Sequence, residues 1–428
     1  MNIQDIHNLF LQCKSVSIDT RKIEKDSMFF AIKGENFDAN TFAAKALELG
    51  ALFVVVDNAS YVIDERTILV ENSLETLQEL AKFHRTYLKL PIIALTGSNG
   101  KTTTKELINV AISKKYKTKA TVGNLNNHIG VPLTLLSFNK ETEIGIVEMG
   151  ANHKKEIEFL CEIAQPDYGY ITNFGKAHLE GFGGVQGVIE GKSEMYQYLA
   201  KNDKLVFVNL EDPIQIERSA GIQSFTFGIN NDAADLKIKS IKANPFVAIE
   251  YDNFSVESHL IGLYNANNIN AAIAIGYYFK VDEKDMKQAI ETYIPENNRS
   301  QLLRIDSNQI ILDAYNANPS SMAVAITNFL QLENQNKVMI LGDMFELGDE
   351  SPQEHKLIVD SLLKQNESEC YLIGKSFYEH KVAKDNIQFF ETFYAFVDYL
   401  KARHFSENTI LVKGSRGMAL ERTLEYIK

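Results

Sequence analysis

Short apolar runs, each closed by glycine, asparagine or a charged residue, punctuate the chain. Residues 16–19, 28–32, 52–56, 92–95, 144–147, 168–173, 205–209, 224–228, 310–312, 338–341 and 409–412 read as strands of this kind. Helical patterns lie between them. Residues 41–49 end at Gly50, residues 74–88 follow, and 103–112 place Leu107, Ile108, Ala111 and Ile112 on one stripe. Residues 269–278 form another apolar helix, and a helix is expected after Met418. One stretch differs: 236–254 alternates, as in Val247-Ala248-Ile249-Glu250-Tyr251, and predicts antiparallel strands. Alternating strands and helices predict an α/β chain. Three domains are expected: a small one over 1–90, a central mostly parallel-sheet domain over 91–297, and a third, Rossmann-like α/β domain over 298–428.

Composition narrows the class. The chain has 428 residues, 45% of them hydrophobic, enough for several packed cores. A net charge of -12 argues against wholesale nucleic-acid binding, so an anionic ligand needs local cationic pockets. Cys13, Cys161 and Cys370 make no metal or disulfide spacing, which fits a reducing compartment. MNIQDIHNLF has no basic region before a long apolar core, and no run approaches the roughly twenty apolar residues of a membrane helix. A cytoplasmic protein without membrane insertion, and a monomer, is expected.

The apolar run 92–95 ends in Thr96-Gly97-Ser98-Asn99-Gly100-Lys101-Thr102-Thr103 and passes into a helix. Strand, glycine loop and helix start form the context of a phosphate loop. Gly97 and Gly100 let backbone N–H groups turn toward phosphate oxygens, and the helix start adds unpaired donors. Lys101 would meet the β- and γ-phosphates, and Thr102 would offer its hydroxyl to Mg²⁺. The general pattern wants a glycine where this chain has Leu95, so only the compact form remains. Glu148 closes a strand beside this loop and suits a hard cation, although a strand-end carboxylate also sits well in water. Asn126 and Asn127 stand in a turn-rich segment, able to bind a ligand or to cap a helix. His178 and Lys192 read as an ordinary loop histidine and a helix-start lysine among acids.

The compact loop T-G-S-N-G-K-T-T resembles the ATP loop of the Mur ligase family, which joins amino acids to UDP-linked muramic acid. The likeness extends from Asp19 to Met418 through D-T-R, V-E-M-G, A-H-L-E, Y-N-A-N-P, L-G-D-M and V-K-G-S-R. It implies that Gly97, Ser98, Asn99, Gly100, Lys101, Thr102 and Thr103 hold ATP, with Asn268, Arg299 and Asp313 completing the nucleotide site. It implies Mg²⁺ at Thr102, Glu148, His178 and Lys192, with Lys192 carbamylated, and catalytic parts for Lys101, His178 and Lys192. Thr20, Arg21, Asn126 and Asn127 would face the UDP-linked substrate, and Tyr315, Asn316, Asn318 and Lys413 the incoming group. Y-N-A-N-P belongs to the branch that adds D-alanyl-D-alanine to UDP-N-acetylmuramoyl-tripeptide through an acyl phosphate, in peptidoglycan precursor synthesis. A sibling reaction adding diaminopimelate or lysine is the alternative. Two departures stand out: residues 38–40 read D-A-N where the family has D-G-H, and Tyr264 replaces a histidine.

Overall fold

The computed structural model describes every residue except Asn297, Gln335 and Lys428. The expected boundary at 297 therefore lies outside the described residues. Three α/β units follow one another. The first carries a parallel four-stranded sheet in the order Val16–Ser17, Met28–Phe30, Phe53–Val56, Thr67–Leu69. A hairpin of Lys33–Gly34 and Phe37–Asp38 stands beside it.

The central sheet has nine strands. Ile92–Thr96 lies between Tyr168–Ile171 and Ile144–Glu148, parallel to both and buried along its length. A parallel strand buried on both faces is continuously apolar, which is why this run shows no alternation. Helices cover both faces. Lys101–Ile112 packs its stripe Leu107, Ile108, Ala111 and Ile112 into one core beside Tyr264–Tyr278. Val185–Lys201 and Glu156–Ala164 pack into the other. The expected antiparallel region is an edge of three strands, Leu236–Ala243, Phe246–Tyr251 and Ser255–Ile261.

The third unit holds six strands, ordered Gln301–Ile305, Asn308–Asp313, Thr409–Lys413, Lys337–Gly342, Ser368–Ile373, Ile387–Phe390. Only the first pair is antiparallel. Asp313 and Lys413 end neighbouring strands in register, so the topology places their side chains together. Two expectations change. After Met418 the chain forms a 3-10 segment, Leu420–Tyr426, not an α-helix. Lys192 sits in the middle of a seventeen-residue helix, Val185–Lys201, not at a helix start.

Candidate active site

Central-sheet strands Ile92–Thr96 and Ile144–Glu148 deliver their C-terminal ends to one cavity of about 1330 Å³. Its walls come from the phosphate loop, the segment 173–178, the start of helix Tyr264–Tyr278 and the third unit. A crevice at the carboxyl ends of parallel strands is where such sheets bind ligands.

The loop's shape depends on its glycines. Gly97 has φ +141°, and a Cβ there would collide with Thr172 Oγ1. Gly100 has φ +78°, and a Cβ would sit 2.6 Å from Asn268 Oδ1. The segment after Ile171 braces the loop: Asn173 accepts the Asn99 N–H at 3.1 Å, and its Nδ2 donates to the Asn99 carbonyl at 2.9 Å. Thr172 Oγ1 donates to the same carbonyl. Helix Lys101–Ile112 begins with no side-chain cap, so the N–H groups of its first turn stay open to the cavity. Lys101 Nζ folds back on the carbonyls of Gly97, at 2.8 Å, and Ser98. Burial lowers its pKa, Glu148 opposing and Arg299 adding to the effect.

Glu148 is 1% exposed. Its Oε1 accepts from Asn126 Nδ2 at 2.8 Å, while Oε2 is buried without a partner among the described residues. An orphaned buried carboxylate oxygen is costly unless a ligand completes it. Among the described residues no three His, Cys, Asp or Glu side chains converge as a metal cage. The set fits Mg²⁺, which takes one or two carboxylates and fills its remaining positions with water and phosphate. His178 lines the same cavity and lies 2.6 Å, at Nδ1, from Glu346 Oε2 of the third unit. That pairing holds the Glu346 carboxyl below its ordinary range.

The third unit closes the cavity. Lys413, 2% exposed on its side chain, pairs with Asp313 Oδ2 at 2.6 Å and donates to the Asn316 carbonyl. Arg299 stacks its guanidinium carbon 3.6 Å from the Tyr315 ring centroid, and Arg416 lies at 5.6 Å from it. Tyr264, in the family histidine's place, meets Ser300 Oγ at 2.6 Å, and burial raises its pKa. Asn268 is spent within the protein, accepting from Thr104 Oγ1 and donating to Asn265.

Most of the expected residues line this cavity: Ser98 through Thr103, Asn126, Asn127, Glu148, His178, Asn268, Arg299, Asp313, Tyr315, Asn316, Asn318 and Lys413. Gly97 shapes the loop from behind. Thr20 and Arg21 do not line it; they form a short 3-10 turn in the first unit, where Asp19 grips Arg21. Lys192 does not line it either. It is fully buried, not a surface lysine beside Glu190 and Glu194. Its Nζ donates to the Ala151 carbonyl at 3.1 Å and lies 4.9 Å over the Phe182 ring. Burial and the nearby Lys101 charge push its pKa well down, against Glu156 and Glu194. Sequence reasoning did not single out Glu346 and Ser320, which line the cavity. Glu346 has φ +62°, a left-handed conformation no composition rule marks.

The profile of the Mur ligase middle domain matches residues 95–276. That of the Mur ligase, glutamate ligase domain matches 298–416, and that of the Mur ligase family, catalytic domain matches 12–85. The UDP-N-acetylmuramoyl-tripeptide–D-alanyl-D-alanine ligase of Bacillus subtilis (strain 168) is 34% identical over 420 residues, 96% of this chain and 92% of that protein. A crystal structure of MurF from Acinetobacter baumannii superposes with a TM-score of 0.85 at 30% identity, covering 99% of this chain and 97% of the other. The MurF ligase from Thermotoga maritima in complex with ADP gives 0.84 at 26% identity, covering 97% of each.

Proposed function

The chain belongs to the Mur ligase family, and from that premise we propose that it joins D-alanyl-D-alanine to UDP-N-acetylmuramoyl-tripeptide at the expense of ATP. The observation that carries the reading is the shared cavity: the phosphate loop and the Tyr315-Asn316-Ala317-Asn318 segment face the same space. The tripeptide carboxylate oxygen attacks the γ-phosphorus of ATP, the bond to the β-phosphate oxygen breaks, and ADP leaves. The dipeptide ammonium loses a proton and the free amine attacks the acyl-phosphate carbonyl carbon; the amide C–N bond forms, the C–O bond to phosphate breaks, the nitrogen gives up a second proton, and inorganic phosphate departs.

The protein's part is positioning and charge neutralisation. Lys101 and the open N–H groups of the helix start hold the phosphates, with Arg299 adding positive charge. Asn126 and Asn127 face the tripeptide end, and Tyr315 and Asn316 the dipeptide. Thr102 and the free oxygen of Glu148 would hold Mg²⁺, which when bound neutralises phosphate charge. Thr20 and Arg21 belong to the uridine-binding unit. Consumption of ATP and of a nucleotide-linked precursor supports a cytoplasmic enzyme, proposed to act as a monomer.

Lys192 is proposed to carry a carbamate. Its burial favours the neutral amine, the form whose nitrogen bonds CO₂ as a proton leaves. Protein equilibrated with ¹³C-bicarbonate should show one carbamate ¹³C resonance that Lys192→Ala lacks. A spectrum without that resonance refutes the modification and leaves the ligase reading intact. The ligase reading itself is tested by phosphate release across a panel of amine acceptors. Release should require ATP, the UDP-linked tripeptide and D-alanyl-D-alanine together; release driven equally by diaminopimelate or lysine on a shorter peptide would overturn it.

A further inference from the structure

Asn318 stands at the contact between the third unit and the phosphate loop, and both ends of its amide are committed. Its Oδ1 accepts the Ser321 N–H at 2.9 Å and caps helix Pro319–Leu330. Only its nitrogen remains for a second partner, and it donates to Asn99 Oδ1 at 2.7 Å. Asn318 is 8% exposed, so water does not compete freely for either end. The consequence falls on Asn99. Its backbone is already held by Thr172 and Asn173, and its Oδ1 is now taken from across the domain contact. Among the described residues its Nδ2 makes no hydrogen bond within the protein, and Asn99 lines the cavity. Gly175 gives that nitrogen room: a Cβ there would stand 3.0 Å from Asn99 Nδ2 and 3.1 Å from Ser320 Oγ. The second residue of that helix reinforces the contact, Ser320 Oγ accepting the Lys176 N–H at 2.8 Å.

We infer that Asn318 is a positioning residue for ATP rather than a dipeptide contact: by occupying Asn99 Oδ1 it turns the donor end of the Asn99 amide toward the phosphates. The inference rests on the nucleotide use proposed above. It makes the nucleotide site sensitive to docking of the third unit, because the acceptor end of Asn99 would otherwise be free to face the phosphates and repel them.

ATP binding to the full-length protein, measured by calorimetry without the other substrates, tests this apart from the ligase reaction. Asn, Asp and Ser are nearly equal as helix caps, so a capping role alone predicts that Asn318→Asp and Asn318→Ser bind ATP like wild type. Positioning predicts otherwise. Asn318→Ser should weaken binding about fivefold, the size of one hydrogen bond. Asn318→Asp should weaken it further, since a carboxylate draws the Asn99 nitrogen away from the phosphates. In an Asn99→Ala background the same changes should shift affinity by less than about twofold, because the relay is already gone. In steady-state assays the ATP KM should rise more than the dipeptide KM. Unchanged ATP affinity in both Asn318 variants, effects that multiply in the Asn99→Ala background, or a rise confined to the dipeptide KM would each overturn the inference. A wild type that binds ATP but forms no amide would refute the ligase reading alone.

Discussion

The phosphate loop and the Asp38-Ala39-Asn40 segment of the first unit are both short turns that bring polar groups together, yet they spend those groups in opposite ways. Asn40 is fully buried and saturated: Nδ2 donates to Asp38 Oδ1 and Asp57 Oδ1 at 2.7 and 2.8 Å, and Oδ1 accepts the Asp57 N–H at 3.1 Å. Lys33 pairs at 2.8 Å with the Asp57 oxygen that Asn40 also holds, and the Ser73 N–H approaches the other oxygen at 3.4 Å. Around the phosphate loop the reverse holds. Among the described residues Glu148 Oε2 has no partner, the helix start has no side-chain cap, and Lys101 rests on backbone carbonyls rather than a carboxylate. Saturated polar groups mark a brace, and spare donors and acceptors mark a site. The D-A-N departure from D-G-H is thus a brace.

Substitutions should separate the two loops. Lys101→Ala should lower turnover at least about 10³-fold, since the charge nearest the transferred phosphoryl is gone. Its melting temperature should stay within about 2 °C of wild type, because no ion pair is broken. Near-normal turnover would erase the distinction from the Asn40 side. Glu148→Gln should cost about 10²-fold in turnover. The amide keeps the oxygen that Asn126 needs but replaces the free one with a donor, so the loss should grow when Mg²⁺ is limiting. Independence from Mg²⁺ concentration would contradict the assignment.

Asn40→Ala should show the opposite pattern, a stability loss of about 2 kcal/mol in urea titrations from stranded buried partners, with ATP affinity unchanged. A drop in ATP affinity without loss of stability would break the comparison. The smallest effect concerns a second saturated cluster. His7 Nε2 meets His84 Nδ1 at 3.0 Å, and His84 Nε2 meets the Phe138 carbonyl at 3.0 Å. The carbonyl requires a proton on His84 Nε2, so His84 Nδ1 accepts and the pair is neutral. Burial, with His84 beside it, lowers the His7 pKa from 6.5 to about 4, and burial lowers that of His84 too. Between these values the unfolded chain binds more protons than the folded one, so stability rises with pH. The urea midpoint should fall from pH 6.5 toward pH 4, less steeply in His7→Leu; identical slopes in both would exclude the pair as the cause.

What the sequence makes legible follows physical range. Continuous apolar runs named the buried strands, since burial on both faces is written locally. The glycine loop declared itself because φ and close approach leave no substitute at Gly97 and Gly100. Lys192 did not, because its burial comes from Ala151 and Phe182, 41 and 10 residues away in the chain, and its own helix turn reads as polar. The commitment of Asn318 to Asn99 spans 219 positions and arises only when the third unit docks. The helix expected near the end became a 3-10 segment where Ala419 turns left-handed at φ +47°, a conformation alanine rarely signals.

The ligation itself is tested most directly by mass spectrometry of purified protein incubated with UDP-N-acetylmuramoyl-tripeptide, D-alanyl-D-alanine and ATP. One UDP-linked product should appear, heavier than its precursor by D-alanyl-D-alanine less one water, formed in equal amount with ADP and abolished by Lys101→Ala. ADP formation without that product, or the same product without ATP, would contradict the proposed ligation.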